Sequence, residues 1–350
     1  MGNATERAFD RIIARRLSLD RYSALLQREL RQEVSPQMRK ALIITLASLL
    51  SKPKITRLDM NQAIQSFQEA LRPLTRTIRQ RLLTALQGII EAEIQFGQRV
   101  IQESTGGAEP PVPIPDDLVE ELLDEERIEE NIRNVSLGVG LAFATLLRRL
   151  RAQALHVSMN KSIQEVLTGG LSQELHAEIS RALTRPERTD LGKVLDQADQ
   201  ALTRMVHTET FDRANAALSA TYAAHDRIIR GEYLSAILDR RTCQQCAALD
   251  GMIFWYAPPP QGYDERNRPI SEQPRLPLHP NCRCVYVPVL DEARRPYRES
   301  YAEWFARQPE EVQRDILGPG KYTLYKQGRI NIYDLGSYEG IVTLKELRGD

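Results

Sequence analysis

Apolar residues recur every three or four positions along most of the first 230 residues, which is the pattern of amphipathic helices. The first stripe contains Phe9, Ile12, Ile13, Leu17, Leu25, Leu26 and Leu30. A later stripe contains Leu118, Leu122, Ile128, Ile132, Val135, Val139, Phe143, Leu146 and Leu150. Because Pro disfavours helix in the residue before it, we expect interruptions at 51–54 and 71–73. Further helices are expected between 171 and 229, broken by TRPERTD at 184–190.

The pattern changes after residue 230. The short segments EYLSAIL, MIFWY and CVYVPVL are rich in β-branched and aromatic residues and are separated by Pro, Gly and Asp, which predicts a small sheet. Asp250 and Gly251 stand where a turn is expected, because glycine accepts a positive φ. A long proline-rich loop is predicted at 257–278.

The segment STGGAEPPVPIPDD separates two helical regions. Prolines at this density block helix and favour an extended linker, and Asp116 with Asp117 marks the start of the next helix. The charge changes at the same place, from 17 basic and 10 acidic residues in 1–104 to 1 basic and 10 acidic in 105–130. We therefore expect a domain boundary here.

These patterns predict a mainly α protein with a small α+β module. The expected parts are an N-terminal helical domain at 1–104, a Pro/Gly linker at 105–117, a helical domain at 118–230, a cysteine-rich module at 231–290 and a helical C-terminal tail at 291–350.

Composition narrows the class of protein. A chain of 350 residues with 42% hydrophobic residues and zero net charge is expected to build a core, and it is neither a disordered chain nor a general polyanion-coating protein. The N-terminus lacks the pattern of a signal peptide. The longest apolar runs, ALIITLASLL and LGVGLAFATLL, are shorter than the roughly 20 residues that cross a bilayer, so no membrane association is expected.

All four cysteines lie in two short stretches, DRRTCQQCAALDG and PLHPNCRCVYVPV. Cys-x-x-Cys on a tight turn lets two sulfurs converge on one tetrahedral ion, and a second group from a distant loop completes the ligands. The pattern predicts a structural zinc site that uses four of five candidates. Reduced thiols packed as small apolar groups and a disulfide pair are the alternatives. The candidates are Cys243, Cys246, His279, Cys282 and Cys284.

A catalytic zinc site would keep an open ligand position and a carboxylate nearby as general base. Asp239, Asp250 and Glu272 lie in the module, but their spacing matches neither a zinc deaminase nor an HExxH protease. Phosphate-binding glycine loops and a GxSxG elbow are also absent from the sequence. We therefore predict that the protein is not an enzyme.

The two cysteine stretches resemble the signature of the Mu protein F-like family, the minor head or head-morphogenesis proteins of tailed bacteriophages. The helix MVHTETFDRANAA and the tail from YAEWFARQPEEV onwards are similar too. The resemblance covers about residues 200–345 and does not reach the first 115. Its signature residues are Asp239, Arg241, Thr242, Cys243, Cys246, Ala247, Asp250, Gly251, Pro277, His279, Pro280, Cys282, Arg283 and Cys284.

The resemblance implies a low-copy virion component, made in the host cytoplasm and associated with the portal protein and other head proteins. Such a protein assists procapsid assembly or the packaging or ejection of DNA. Some relatives carry a toxin or enzyme domain after the cysteine module, and the short tail here predicts none. The alternative functions are a metal-dependent hydrolase and a DNA-binding protein that use the cysteine and histidine cluster.

Three further features have simpler interpretations. His207, Thr208 and Glu209 are too close in sequence for one helix face, which favours capping or packing over catalysis. The aromatic group at 301–305 is expected to fill a core. The arginines of the first helix alternate with acidic residues, which favours an ion-paired, solvated face over a DNA-binding stripe, with weak DNA contact as the alternative. These arginines are Arg7, Arg11, Arg15, Arg16, Arg21, Arg28 and Arg31.

Overall fold

A computed structural model describes residues 4–52, 54–158, 171–184, 190–257, 266–290 and 298–349. Long helices dominate these ranges and a small sheet follows them, so the predicted mainly α fold with an α+β module is confirmed. The helices are α1 (Ala4–Leu50), α2 (Arg57–Ser104), α3 (Asp116–Leu123), α4 (Glu125–Ser158), α5 (Leu171–Thr184), α6 (Asp190–Ala224), α7 (Gln244–Leu249), α8 (Tyr301–Ala306), α9 (Glu310–Lys326) and α10 (Leu344–Arg348).

The interruption expected at 51–54 is present, because α1 ends at Leu50 and α2 begins at Arg57. The interruption expected at 71–73 is wrong, since Pro73 lies inside α2. A proline there removes one backbone donor, but the side chains of Leu71 and Leu74 on either side of it are buried. Their burial offsets the lost hydrogen bond, so packing overrides the local preference. Of the expected break at 184–190, residues 185–189 lie outside the described residues.

Residues 105–115 of the predicted linker are non-helical as expected, but its last two residues, Asp116 and Asp117, begin α3. The linker is also attached to α2, because the Gln98 side-chain amide donates to the carbonyl of Val112 at 2.6 Å and Ile114 packs against apolar residues of α2. The single stripe expected after the linker is divided between α3 and α4, since Asp124 between them has a φ of 48°. A left-handed residue ends one helix and lets the next start in a new direction.

Backbone contacts divide the chain into two compact units, each built from separate stretches of sequence. The first unit contains residues 1–23, 86–123 and 208–350, and the second contains residues 24–85 and 124–207. The five consecutive parts expected from the sequence stay a prediction.

The described residues of the second unit are mainly helical. The rings of Phe67 from α2 and Phe143 from α4 pack in its core with centroids 4.6 Å apart and planes tilted by 47°. At its surface Arg79 binds both Glu125 and Glu129, at 2.8 and 2.6 Å. Apolar stripes of α2 and α4 therefore do what their periodicity predicts, which is to bury one face of each helix.

The first unit contains a four-stranded sheet in the order β3, β2, β1, β4. β1 pairs antiparallel with both β2 and β4, and β2 pairs parallel with β3. The three expected strands are therefore confirmed. Part of the loop predicted at 257–278 instead forms β3 and a 3-10 turn. Residues 258–265 of that loop lie outside the described residues. The strands are β1 (Gly231–Ser235), β2 (Ile253–Trp255), β3 (Arg268–Pro269) and β4 (Val285–Val289).

Helices α1, α2 and α6 cover this sheet within the first unit. Phe9 of α1 meets Tyr233 of β1 edge to face, with ring centroids 6.3 Å apart. Val100 of α2 and Leu218 of α6 belong to the same buried cluster. Three of the cysteines, Cys246, Cys282 and Cys284, are members of that cluster as well.

The stripe of α1 differs from the expected one. Leu17 and Leu25 are each 48% exposed, so placing them on the buried face is wrong. The buried positions after Ile12 are Arg16 and Leu19. The buried stripe of α1 is therefore shifted by one residue from the expected one, and Arg16 occupies the buried position expected for Leu17.

The C-terminal tail folds against the end of the cysteine module. Tyr301 and Phe305 are fully buried and Trp304 is partly buried, which confirms that these aromatic residues fill a core. Ala247 of α7 belongs to the same cluster. The tail also forms a two-stranded sheet from β5 (Gly336–Ser337) and β6 (Gly340–Ile341).

Candidate metal centre

A single helical turn presents the first pair of cysteines. Cys243 is the N-cap of α7, and its sulfur accepts a hydrogen bond from the backbone N–H of Cys246 at 3.4 Å. Residues three apart on a helix share a face, so both sulfurs point the same way. Just before the turn, the Thr242 hydroxyl donates to the carbonyl of Ile237 and holds the entering chain.

A tight turn presents the other three donors. The N–H of Cys282 donates to the carbonyl of His279 at 3.0 Å, and Asn281 inside this turn has a φ of 65°. His279 Nδ1 lies 2.8 Å from the carbonyl of Pro280. Because a carbonyl can only accept, Nδ1 carries a proton, so Nε2 is the ring nitrogen that could bind a metal once its own proton is lost. Cys284 follows directly and leads into β4.

The two turns bring all five donors together. Nε2 of His279 lies 3.0 Å from the sulfur of Cys243 and 3.1 Å from that of Cys246, and the sulfurs of Cys246 and Cys282 are 3.6 Å apart. The donors form two triangles, with all atoms of each within 4.8 Å, and Cys246 is a corner of both. The triangles are Cys243, Cys246 and His279, and Cys246, Cys282 and Cys284.

Each triangle fits one face of a tetrahedral site for a soft cation. Zn–S bonds of about 2.3 Å place two sulfurs of one tetrahedron about 3.8 Å apart, close to the 3.6 Å between the sulfurs of Cys246 and Cys282. All four cysteines are free thiols, so the disulfide alternative is wrong. Cys246, Cys282 and Cys284 are buried, whereas Cys243 and His279 are half-exposed, so solvent reaches the centre from one side.

Hydrogen bonds within the cluster favour the thiolate at Cys243 and Cys282, whereas the pKa of Cys246, which bonds to Cys243, and that of Cys284 are raised. Those from Cys246 and His279 hold the pKa of the Cys243 thiol down, to about 4. Those from Cys246 and Cys284 hold the pKa of Cys282 well below its usual range. The bond with Cys243 in turn raises the pKa of His279 to about 9. The centre therefore holds negative charge at neutral pH, which a bound cation would neutralise.

An ion pair ties the two turns together. Both guanidinium nitrogens of Arg283 donate to the carboxylate of Asp239, at 2.8 and 2.6 Å. Burial alone would raise the pKa of Asp239, but the hydrogen bonds from Arg283 outweigh it and lower that pKa. Arg283 stands between two cysteines and Asp239 precedes the other two, so this pair fixes the distance between the halves of the centre.

A buried carboxylate links the module to the tail. Asp250 accepts hydrogen bonds from the backbone N–H groups of Ala236 and Tyr301, at 2.7 and 2.8 Å. Gly251 follows with a φ of 86°, so the turn expected at this pair is confirmed. Asp239, Asp250 and Glu272 are the carboxylates of the module that a catalytic metal site could use as a general base. The first two are held by structural contacts, and Glu272 pairs with Arg268 at 3.6 Å.

Arg16 of α1 belongs to the centre and is absent from the sequence-based candidates. Its guanidinium donates to the carbonyls of Arg283 and Cys284, at 3.1 and 2.6 Å. It also stacks over the ring of Phe211 at 3.8 Å. The signal in the sequence is positional: Arg16 follows Ile12 by four residues and precedes Leu19 by three, so it occupies the apolar stripe.

Three other arginines near the start of α1 take partners from α2, whereas Arg31 pairs with Asp199 of α6 at 3.5 Å. Arg15 donates to Glu93 at 2.7 Å, Arg7 donates to the carbonyl of Ser104, and Arg11 pairs with Glu103. An ion-paired face is therefore confirmed for Arg11 and Arg15, but their acidic partners lie on a different helix from the one expected. For Arg16 the solvated face is wrong.

His207 and Glu209 are buried on α6, which confirms packing. Glu209 binds Arg213 one turn later at 3.0 Å. In the part of the chain that the structure describes, no helix combines the length and apolar character of a membrane-spanning segment.

The fold and the cysteine centre define a mainly helical protein with a Cys/His module. Residues 158–287 match the family described as Phage Mu protein F like protein, which confirms the family resemblance, although the match begins before residue 200 and does not include the tail after residue 287. An uncharacterized protein of Haemophilus influenzae is 31% identical over 176 residues, which cover 50% of this chain. The chain spans about a third of that relative's length, 33%. No solved structure matches.

Proposed function

We propose that the protein is a head-morphogenesis protein of a tailed bacteriophage. The observation that carries the proposal is the cysteine module, in which the separated signature residues of the family fold into one cluster within the stretch that matches the family. In this role the protein is a low-copy component of the phage head, assembled in the host cytoplasm. It acts by contact with other head proteins and not by catalysis.

The proposed partner is the portal protein encoded by the same phage genome. Co-expression with this portal protein, followed by size-exclusion chromatography, is expected to yield a complex containing both chains. Deletion of the gene is expected to reduce the number of DNA-filled heads seen by electron microscopy. Normal heads in normal number, together with a chain that elutes alone at micromolar concentration, would overturn the proposal.

We further propose that four of the five donors bind one zinc ion with a structural role. Zinc would join two turns that are 33 residues or more apart in sequence, and would replace the hydrogen bonds that now hold the thiols. Elemental analysis of reduced, freshly purified protein is expected to give about one zinc per chain. The variant Gly88→Ala, at an exposed position of α2, serves as a control and is expected to contain as much zinc as the unmodified chain. A zinc content near zero in the unmodified chain contradicts the proposal.

A further inference from the structure

The Arg16 side chain is a buried cation whose hydrogen-bond partners are neutral. It is 3% exposed, and it donates to the carbonyls of Arg283 and Cys284 and, at 3.5 Å, to the side-chain oxygen of Asn215. The ring of Phe211 adds attraction but no net charge. A guanidinium stays charged in a protein, so a buried one requires a negative charge close by.

The carboxylates near Arg16 do not balance the positive charge of its guanidinium completely. Glu93 already binds Arg15 at 2.7 Å, and within the described residues no carboxylate lies within ion-pair distance of Arg16. The guanidinium instead donates to the carbonyls of Arg283 and Cys284, on the turn that carries the sulfurs of Cys282 and Cys284.

We propose that Arg16 is the counter-cation of the cysteine centre, and that the centre binds its divalent metal through at least three thiolates that include Cys282 and Cys284. This inference rests on the proposed metal site. Two thiolates and a divalent ion would leave a neutral centre and an uncompensated Arg16. Three or four thiolates leave one or two negative charges, which a buried guanidinium balances.

The geometry also gives Arg16 a positioning role. Its two hydrogen bonds hold the backbone between Cys282 and Cys284, so the turn that carries both sulfurs is fixed from the side of α1. Groups that orient metal ligands from outside the coordination shell change metal affinity about 10- to 100-fold when they are removed. Residues 4–23 lie outside the family match, yet by this inference they complete its metal centre.

The test compares zinc affinity, by competition with a chromophoric chelator, in the full-length chain and three variants. Arg16→Met keeps most of the volume and removes the charge, and it is expected to bind zinc about 10- to 100-fold more weakly. Arg16→Lys keeps the charge and is expected to lose less. Arg11→Met removes a half-exposed arginine of the same helix and is expected to bind zinc as the unmodified chain does.

Two results would overturn the inference: an Arg16→Met chain that binds zinc as tightly as the unmodified one, or an Arg16→Lys chain that binds as weakly as Arg16→Met. If Arg16→Met does not fold, the unmodified chain still decides the matter. Loaded with cobalt in place of zinc, it is expected to show the charge-transfer absorption of three or four bound thiolates, and two would contradict the inference. If the unmodified chain binds no metal at all, the proposed metal site itself is contradicted.

Discussion

Asp239 and Arg283 show how two signature residues that bind no metal still serve the centre. Their forked ion pair spans 44 residues of sequence and joins the segment before the first cysteine pair to the turn that carries the second. Arg283 is largely buried and Asp239 is about a third exposed. The pair is therefore partly screened by solvent, and its main effect is to fix the geometry of the two turns.

Asp239→Asn tests this pair. Because the folded-state pKa of Asp239 is lowered, its charge stabilises the fold above the usual pKa near 4, and this contribution is lost as pH falls through the lowered value. We expect the variant to be about 1 kcal/mol less stable at pH 7, after allowance for screening. Denaturant unfolding of both chains at pH 7, 5 and 3 should show the difference shrinking toward acid. A constant difference would contradict the charge-based explanation.

Cys246 has the most central place among the five donors, since it is a corner of both triangles. Cys246→Ser is therefore expected to abolish zinc retention. Cys243→Ser is expected to retain part of it, because His279 lies 3.1 Å from Cys246 and can take a place in the shell. Elemental analysis after dialysis measures both, and equal losses would contradict the central position of Cys246.

At the scale of elements, two helices of the first unit approach closely at one glycine. A Cβ placed on Gly97 of α2 would lie 3.1 Å from the Thr221 methyl and 3.3 Å from a Leu218 methyl, both on α6. Gly88, nine residues earlier on the same helix, is exposed and has open space around it. Alanine substitutions at these two glycines therefore separate the effect of helix propensity on stability from the effect of packing.

Gly88→Ala is expected to raise the free energy of unfolding by about 0.4–1 kcal/mol, because alanine loses less backbone entropy in a helix. Gly97→Ala gains the same term but crowds α6, and overpacking costs about 1–3 kcal/mol. It should therefore be the less stable of the two variants. Urea unfolding of both chains checks the order, and equal stabilisation would mean that the helices are not held at this distance.

Helical stripes, three strands and the five donors could be predicted from local sequence patterns, since each depends on spacing within a short segment. The continuation of α2 through Pro73 could not be predicted, because burial of the leucines around it decides whether the helix continues. Arg16 could not either. Its partners are backbone carbonyls that lie 267 and 268 residues away, and no spacing rule connects a helix position with the backbone of a distant turn.

At the scale of the first unit, the cysteine centre joins three distant stretches of the chain. Arg16 attaches α1 to the second turn, and the two glutamines of CQQC attach the tail to the first. Gln244 donates to the carbonyl of Ile316 at 2.8 Å and Gln245 to that of Ser337 at 2.9 Å. Gly336 lies so close to this turn that a Cβ there would be 2.7 Å from the backbone of Gln245.

Removal of metal should therefore act on one unit of the molecule. The described residues of the first unit hold the centre and the elements attached to it, whereas the second unit, 24–85 and 124–207, contains none of the cysteines. Hydrogen exchange with and without a chelator is expected to show faster exchange at β1, β4 and α9 after chelation, with unchanged protection at residues 60–85 of α2. Opening of a cooperative unit exposes all its amides together. Uniform acceleration of exchange along the whole chain would therefore mean that the two units unfold as one. No change in exchange anywhere would mean that the metal does not stabilise the fold.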